Sequence, residues 1–246
     1  MGRANRLKMK NVGLLLCGVL FAASSAPAQT AVVTGQVEIA GSAANGKKAE
    51  ASNTVVWLTP ASSQTVFKMA EQRTQPQLVQ HNRAFEPHVL VVEVGTVVQF
   101  PNKDHFLHNV FSLFDGKRFD LGFYESGSSK TVRFDRAGVS FLFCNIHPEM
   151  TAAVVAVPTP YFSISDASGH VALTGVPDGD YVMHVWSEKS LPEQLKQHEK
   201  MVTISATQRT LPAVRIVENT TFSFAHKNKY GQDYVPPPTG SYDHPR

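Results

Sequence analysis

The sequence predicts an all-β protein built from two small β-sandwiches, on three observations. Long helical periodicity is scarce along the 246 residues. Short β-branched and aromatic runs recur instead, punctuated by Gly, Pro and Asp turns. Once an N-terminal export segment is set aside, about 218 residues remain, enough for two β units.

The export segment has three parts. Arg3, Arg6, Lys8 and Lys10 make a basic start, an apolar run extends from Val12 to Ala23, and Ala26-Pro27-Ala28 supplies small residues for cleavage. This order is that of a secretory signal peptide over 1–28, with Gln29 as the new N-terminus and a periplasmic or secreted mature chain. The apolar run is short for a bilayer span, so the mature chain is expected not to cross a membrane. Cys17 offers a lipid-modified cysteine as an alternative, disfavoured by the large leucine before it and the better site downstream.

The formal charge of +3 belongs to that segment. It carries four of the 23 basic residues and none of the 20 acidic ones, leaving 19 against 20 in the mature chain. A near-neutral chain gives no ground for nucleic-acid binding. Cys144 then stands as the single cysteine of the mature chain. It has no partner for an internal disulfide in a compartment where thiols oxidise, so it calls for a partner chain, a reactive role or a metal.

The elements follow in order. Thr30–Ala40 and Thr54–Leu58 are expected strands around a small, polar loop. Val89–Val94 and Thr96–Phe100 flank Gly95 as two strands around a turn. Thr131–Phe134, Val139–Phe143 and Ala152–Val157 complete the middle region. Tyr161–Ile164, Val171–Leu173, Tyr181–Trp186, Met201–Ile204 and Ala213–Val217 follow. Ser187–Lys200 is expected to be a long loop or short helix. The tail 219–246 has too few apolar residues to build a core and leads into Pro236-Pro237-Pro238, so it is expected to be extended or disordered and inert.

The chemistry concentrates in two segments. Asn102-Lys103-Asp104-His105-Phe106-Leu107-His108-Asn109 supplies a histidine after an apolar strand. Downstream, Cys144-Asn145-Ile146-His147-Pro148-Glu149-Met150 places cysteine, histidine and methionine three residues apart between two expected strands. A tight loop there aims three side chains at one point, and His108 arrives from another strand. Thiolate and thioether are soft ligands that suit Cu(I), and imidazoles also suit Cu(II). With all four positions filled by protein, no site is left open for substrate, which favours electron transfer over catalysis.

Each residue also has an ordinary reading. A single His is usually a hydrogen-bonded side chain and a single Met usually core filler. Their concentration around one cysteine favours a metal. Zinc suits the same histidines and cysteine, but methionine is a poor zinc ligand. His105, three residues before His108, is an alternative ligand or an exposed loop residue. His81, His88, His170, His184, His198, His226 and His244 are scattered without ligand spacing.

Residues 77–157 resemble the cupredoxins, the small blue-copper proteins such as plastocyanin and amicyanin. The matching features are Phe85-Glu86-Pro87, Glu93-Val94-Gly95-Thr96, Phe100-Pro101-Asn102, Asp104, His108-Asn109 and the short Cys144–Met150 loop. The resemblance implies a Greek-key β-sandwich and one type 1 copper ion. His108, Cys144 and His147 would be equatorial ligands and Met150 the axial one. Asn109 and Asn145 would lie near the thiolate and tune it. The loop histidine of the family lies near the surface and passes electrons, and His147 matches it. Leu107 departs from the proline often found before the first histidine.

Residues 161–186, with turns at Asp166-Ala167-Ser168-Gly169 and Pro177-Asp178-Gly179-Asp180, resemble carboxypeptidase-regulatory-like, transthyretin-type sandwiches. Strands of the kind that open such domains, Gly35-Gln36-Val37 and Val55-Val56-Trp57-Leu58, precede the copper segment. The expected organisation is therefore 29–70 and 158–218 as one split sandwich, with the copper domain at 75–157 inserted between them. The rival arrangement adds the N-terminal strands to the copper domain itself.

The function expected is a periplasmic blue-copper protein carrying single electrons to or from a redox protein such as a cytochrome or dehydrogenase. Alternatives are copper storage, delivery or sensing, and an adhesion or polysaccharide-binding β module. No enzyme is expected: the extra histidine-rich clusters of multicopper oxidases, a second cysteine for a binuclear site, a Ser/His/Asp order and a phosphate loop are all missing.

Overall fold

The computed structural model describes residues 2, 31–40, 50–62, 75–113, 116–219 and 226–234. The expected signal peptide lies outside them, Gly2 apart. Among the described residues no helix is long and apolar enough to cross a membrane.

The chain is almost entirely β. It opens with β1 (Ala31–Ala40) and β2 (Val55–Pro60). A central block follows: β3 (Val79–His81), β4 (Ala84–Glu86), β5 (Val89–Glu93), β6 (Val97–Pro101), β7 (His108–Ser112), β8 (Phe119–Tyr124), β9 (Ser129–Arg133), β10 (Gly138–Phe143) and β11 (Thr151–Val157). The last block holds β12 (Phe162–Ile164), β13 (His170–Val176), β14 (Gly179–Trp186), α1 (Pro192–Lys196), β15 (Lys200–Ile204) and β16 (Val214–Val217).

The central block makes one sandwich. Its larger sheet has the order β5-β11-β10-β7-β8, with β5 and β11 parallel and the other neighbours antiparallel. The facing layer contains the pairs β6-β9 and β3-β4, joined by bridges from Gln77 to Gln99 and from Gln80 to Asn102. Between the layers pack Leu78, Phe100, Phe134, Leu142, Cys144 and Met150.

The flanking blocks combine into a second sandwich. β2 runs antiparallel to β14, with Trp57 opposite His184 and Val56 opposite Val185, and β12 lies on its other side. β1 pairs with β13 and, in parallel, with β16. The strands before residue 61 thus pair with strands after residue 161. Alternation sets the core: β13 reads exposed–buried through His170, Val171, Ala172 and Leu173, and Tyr181, Met183 and Val185 of β14 point inward. At the Asp166–Gly169 turn, Gly169 adopts φ +85°, and a Cβ there would lie 2.0 Å from the Val37 carbonyl oxygen. That close approach requires glycine.

One strand belongs to both cores. Ala152, Val154 and Ala156 of β11 face the central sandwich, while Ala153, Val155 and Val157 pack with Val55 and Val89, against Trp57, Phe162 and Trp186. A strand covered on both faces loses polar alternation, which explains the unbroken apolar run Ala152–Val157. His88 adds a polar tie. It donates from Nε2 to Glu188 Oε2 at 2.8 Å and from Nδ1 to the Thr151 carbonyl at 3.1 Å.

Four strands were not expected from sequence. β3 and β4 are three residues each, too short to show a period. β8 is interrupted by Gly122 in the left-handed region. β7 carries His, Asn and Ser at fully covered positions, a polar content that disguises a central strand.

Candidate metal centre

β7 and β10 are neighbours, paired at Phe111 and Phe143. The pairing brings the first residue of β7, His108, to the same end of the sheet as Cys144, which immediately follows β10. The loop from Cys144 to Met150 then closes on itself. Cys144 donates its N–H to the Met150 carbonyl at 3.3 Å, and Met150 donates to the His147 carbonyl at 3.1 Å.

Three donor atoms converge as a result. His147 Nδ1 lies 3.2 Å from His108 Nδ1, and Cys144 Sγ lies 3.5 Å from His147 Nδ1 and 3.7 Å from His108 Nδ1. The point equidistant from all three is about 2.0 Å from each, close to metal–imidazole lengths of about 2.0–2.1 Å and a metal–thiolate length of about 2.3 Å. Among the described residues this is the one group of three or more His, Cys, Asp or Glu side chains close enough to hold an ion. The side chain of Met150 is fully buried in the same apolar cluster as Cys144. His105 is exposed and stands outside the group.

The surroundings prepare these atoms for a metal. His108 donates from Nε2 to Asp104 Oδ2 at 2.8 Å, which leaves its Nδ1 lone pair pointing at the other two donors. Asp104 in turn accepts the N–H groups of Asn82 at 2.7 Å and Arg83 at 3.0 Å. Asn82 and Arg83 have φ values of 53° and 56°, the pair of left-handed residues that a two-residue hairpin turn between β3 and β4 requires. Burial tends to raise the Asp104 pKa, but these N–H donors and His108 outweigh it and hold the carboxyl ionised.

Burial also keeps both imidazoles neutral. It lowers the His108 pKa against the pull of Asp104, and it lowers that of His147 to about 4, with proximity to His108 adding to the effect. The Cys144 thiol moves the other way. Burial raises its pKa, against the backbone N–H groups of Asn109, Ile146 and His147 that point at the sulfur. Phe106 packs its ring 5.1 Å from that of His108 and 5.5 Å from that of His147. His147 is only 6% exposed, less open than the cupredoxin resemblance implies.

No protein-family model matches the chain, and no curated protein matches it. Among solved structures, part of the chain is similar to a purple cupredoxin from Nitrosopumilus maritimus, with 24% identity over 33% of this chain and 99% of that one, at a TM-score of 0.31. It is similar to a Cu-containing nitrite reductase from Thermus scotoductus SA-01, with 23% identity over 38% of this chain and 24% of that one, at a TM-score of 0.34. A mutant of amicyanin in its oxidized state matches at 22% identity over 33% of this chain and 81% of that one, at a TM-score of 0.32. Each of these three likenesses spans less than half of this chain.

Sequence reasoning named Asn109 and Asn145, and the structure shows what holds them. Asn109 donates from Nδ2 to Asp120 Oδ1 at 2.7 Å, and Asn145 accepts the Lys229 N–H at 3.0 Å. Residues 226–234 thereby differ from the inert tail expected. They lie across the Cys144–Met150 loop, held by polar contacts and ring packing rather than by a core of their own. Composition alone registers only the missing core. Lys229, Tyr234 and Asp120 went unmarked, since nothing near them in sequence resembles a ligand motif.

Proposed function

We propose that the mature chain is an exported blue-copper protein that carries single electrons and catalyses no reaction itself. One observation carries the reading: two imidazole nitrogens and one thiol sulfur, all buried, converge at separations of 3.2–3.7 Å with a buried thioether residue closing the same loop. The donor set fits copper better than zinc, because Met150 adds a soft thioether. His108, Cys144 and His147 would hold the ion and Met150 would complete the set. Bound there, copper supplies reversible one-electron chemistry.

The chain's own groups do the rest. Asp104 fixes the His108 ring. The N–H groups of Asn109, Ile146 and His147 favour negative charge on Cys144 Sγ. Phe106 and the apolar cluster around Cys144 exclude water. The partner is a redox protein such as a cytochrome or dehydrogenase. The described strands within 29–70 and 158–218 form a transthyretin-type host sandwich for the copper unit, as supported by the pairing of β2 with β14.

The test is reconstitution of residues 29–246 with Cu(II), read by visible absorption and electron paramagnetic resonance. An intense thiolate charge-transfer band that vanishes in Cys144→Ser is expected. Met150→Leu is expected to keep the band and shift the potential. A colourless protein that prefers zinc would falsify the reading.

A further inference from the structure

Residues 226–234 touch the Cys144–Met150 loop and its supports at several separate points. His226 donates from Nε2 to the Pro148 carbonyl at 3.1 Å, and its ring lies 4.0 Å from that of Phe143. Lys229 donates its backbone N–H to Asn145 Oδ1 at 3.0 Å. The Tyr234 hydroxyl donates to the Cys144 carbonyl at 2.7 Å, and its oxygen lies 3.2 Å from His226 Nδ1. A longer route reaches the sulfur itself. Lys229 Nζ sits 2.7 Å from Asp120 Oδ2, Asp120 Oδ1 holds the Asn109 amide at 2.7 Å, and the Asn109 backbone N–H points at Cys144 Sγ.

We propose that residues 226–234 are a clamp on the metal loop, in which Tyr234 and Lys229 are positioning residues that set the site's potential and its hold on the metal. The inference rests on the copper-carrier proposal. Tyr234 draws electron density from the Cys144 peptide, and Lys229 orients Asn109 through Asp120. Both effects draw electron density from the thiolate and weaken its donation to Cu(II), which favours the reduced state. The clamp also ties down Asn145 and Pro148 on either side of His147, so the loop must shed it before the ligands can part.

The experiment uses the copper-loaded mature chain and measures two quantities: the reduction potential, and the rate at which Cu(I) passes to the chelator bathocuproine disulfonate. Tyr234→Phe keeps the ring and removes the hydroxyl. It is expected to speed transfer roughly three- to tenfold, the worth of one hydrogen bond, and to lower the potential. Lys229→Met is expected to do the same, while Lys229→Arg, which keeps a cation for Asp120, stays near the parent. A chain ending at Asn219 is expected to exceed either single change. If that shorter chain does not fold, the point variants decide alone. Transfer rates and potentials equal to the parent in Tyr234→Phe and Lys229→Met overturn the clamp while leaving the copper reading intact. A mature chain with no charge-transfer band sinks both.

Discussion

Asp104 and His108 meet through a 2.8 Å contact on the side of the imidazole turned away from Cys144. Asp104 is itself seated by two backbone N–H groups from the β3–β4 turn, so the ring is oriented from a hairpin in the opposite layer. Removing the carboxylate in Asp104→Ala frees the ring to rotate and to change tautomer. Copper affinity is expected to fall by about 10–100-fold, measured by competition with a chelator of known affinity. Asp104→Asn, which can still accept the ring N–H, is expected to lose less.

Cys144 predicts a proton inventory. Burial holds its thiol protonated at neutral pH, whereas both imidazoles are already neutral there. Copper binding near pH 7 is therefore expected to release about one proton per ion. Calorimetry in buffers of different ionisation enthalpy counts it. Release near zero would mean the thiolate exists before the metal arrives.

Acid should act through the histidines. The folded pKa of His147 is lowered to about 4, below the ordinary 6.5, and that of His108 is lowered as well. As pH falls below 6.5 the unfolded chain takes up protons that the folded chain refuses. The metal-free protein should therefore lose stability as pH falls from about 6.5 to about 4, the His147 window, and regain it as pH rises. Urea titrations of the metal-free chain at several pH values read this directly. His147→Gln is expected to flatten the dependence.

His88 has the opposite sign. The hydrogen bond to Glu188 raises its pKa, against burial. The stabilisation is full below the ordinary value of 6.5 and is lost as pH rises through the raised folded value. Glu188→Gln is expected to cost about 1–2 kcal/mol at pH 6 and less at pH 9, seen in the unfolding midpoint.

Legibility in the sequence followed distance along the chain. Cys144, His147 and Met150 stood out because they share one short run, and the turns Asp166–Gly169 and Pro177–Asp180 because turn chemistry is local. His108 was separable from His105 by its neighbour Asn109, and the structure places His108, not His105, beside Cys144. What stayed hidden depends on contacts between remote positions. Lys229 lies 109 residues from Asp120, and Tyr234 lies 90 residues from Cys144. β7 stayed hidden because His108, Asn109 and Ser112 place polar side chains at covered positions, against the usual pattern of an inner strand.

The two-sided strand β11 bears on how this protein can be dissected. A fragment cut to residues 75–157 would keep every donor atom of the metal group, yet it would bare Val89, Ala153, Val155 and Val157 as a continuous oily stripe. Such a stripe invites self-association or precipitation. A minimal module that carries the His108, Cys144 and His147 group alone therefore needs that face repainted with polar side chains before it can be handled by itself.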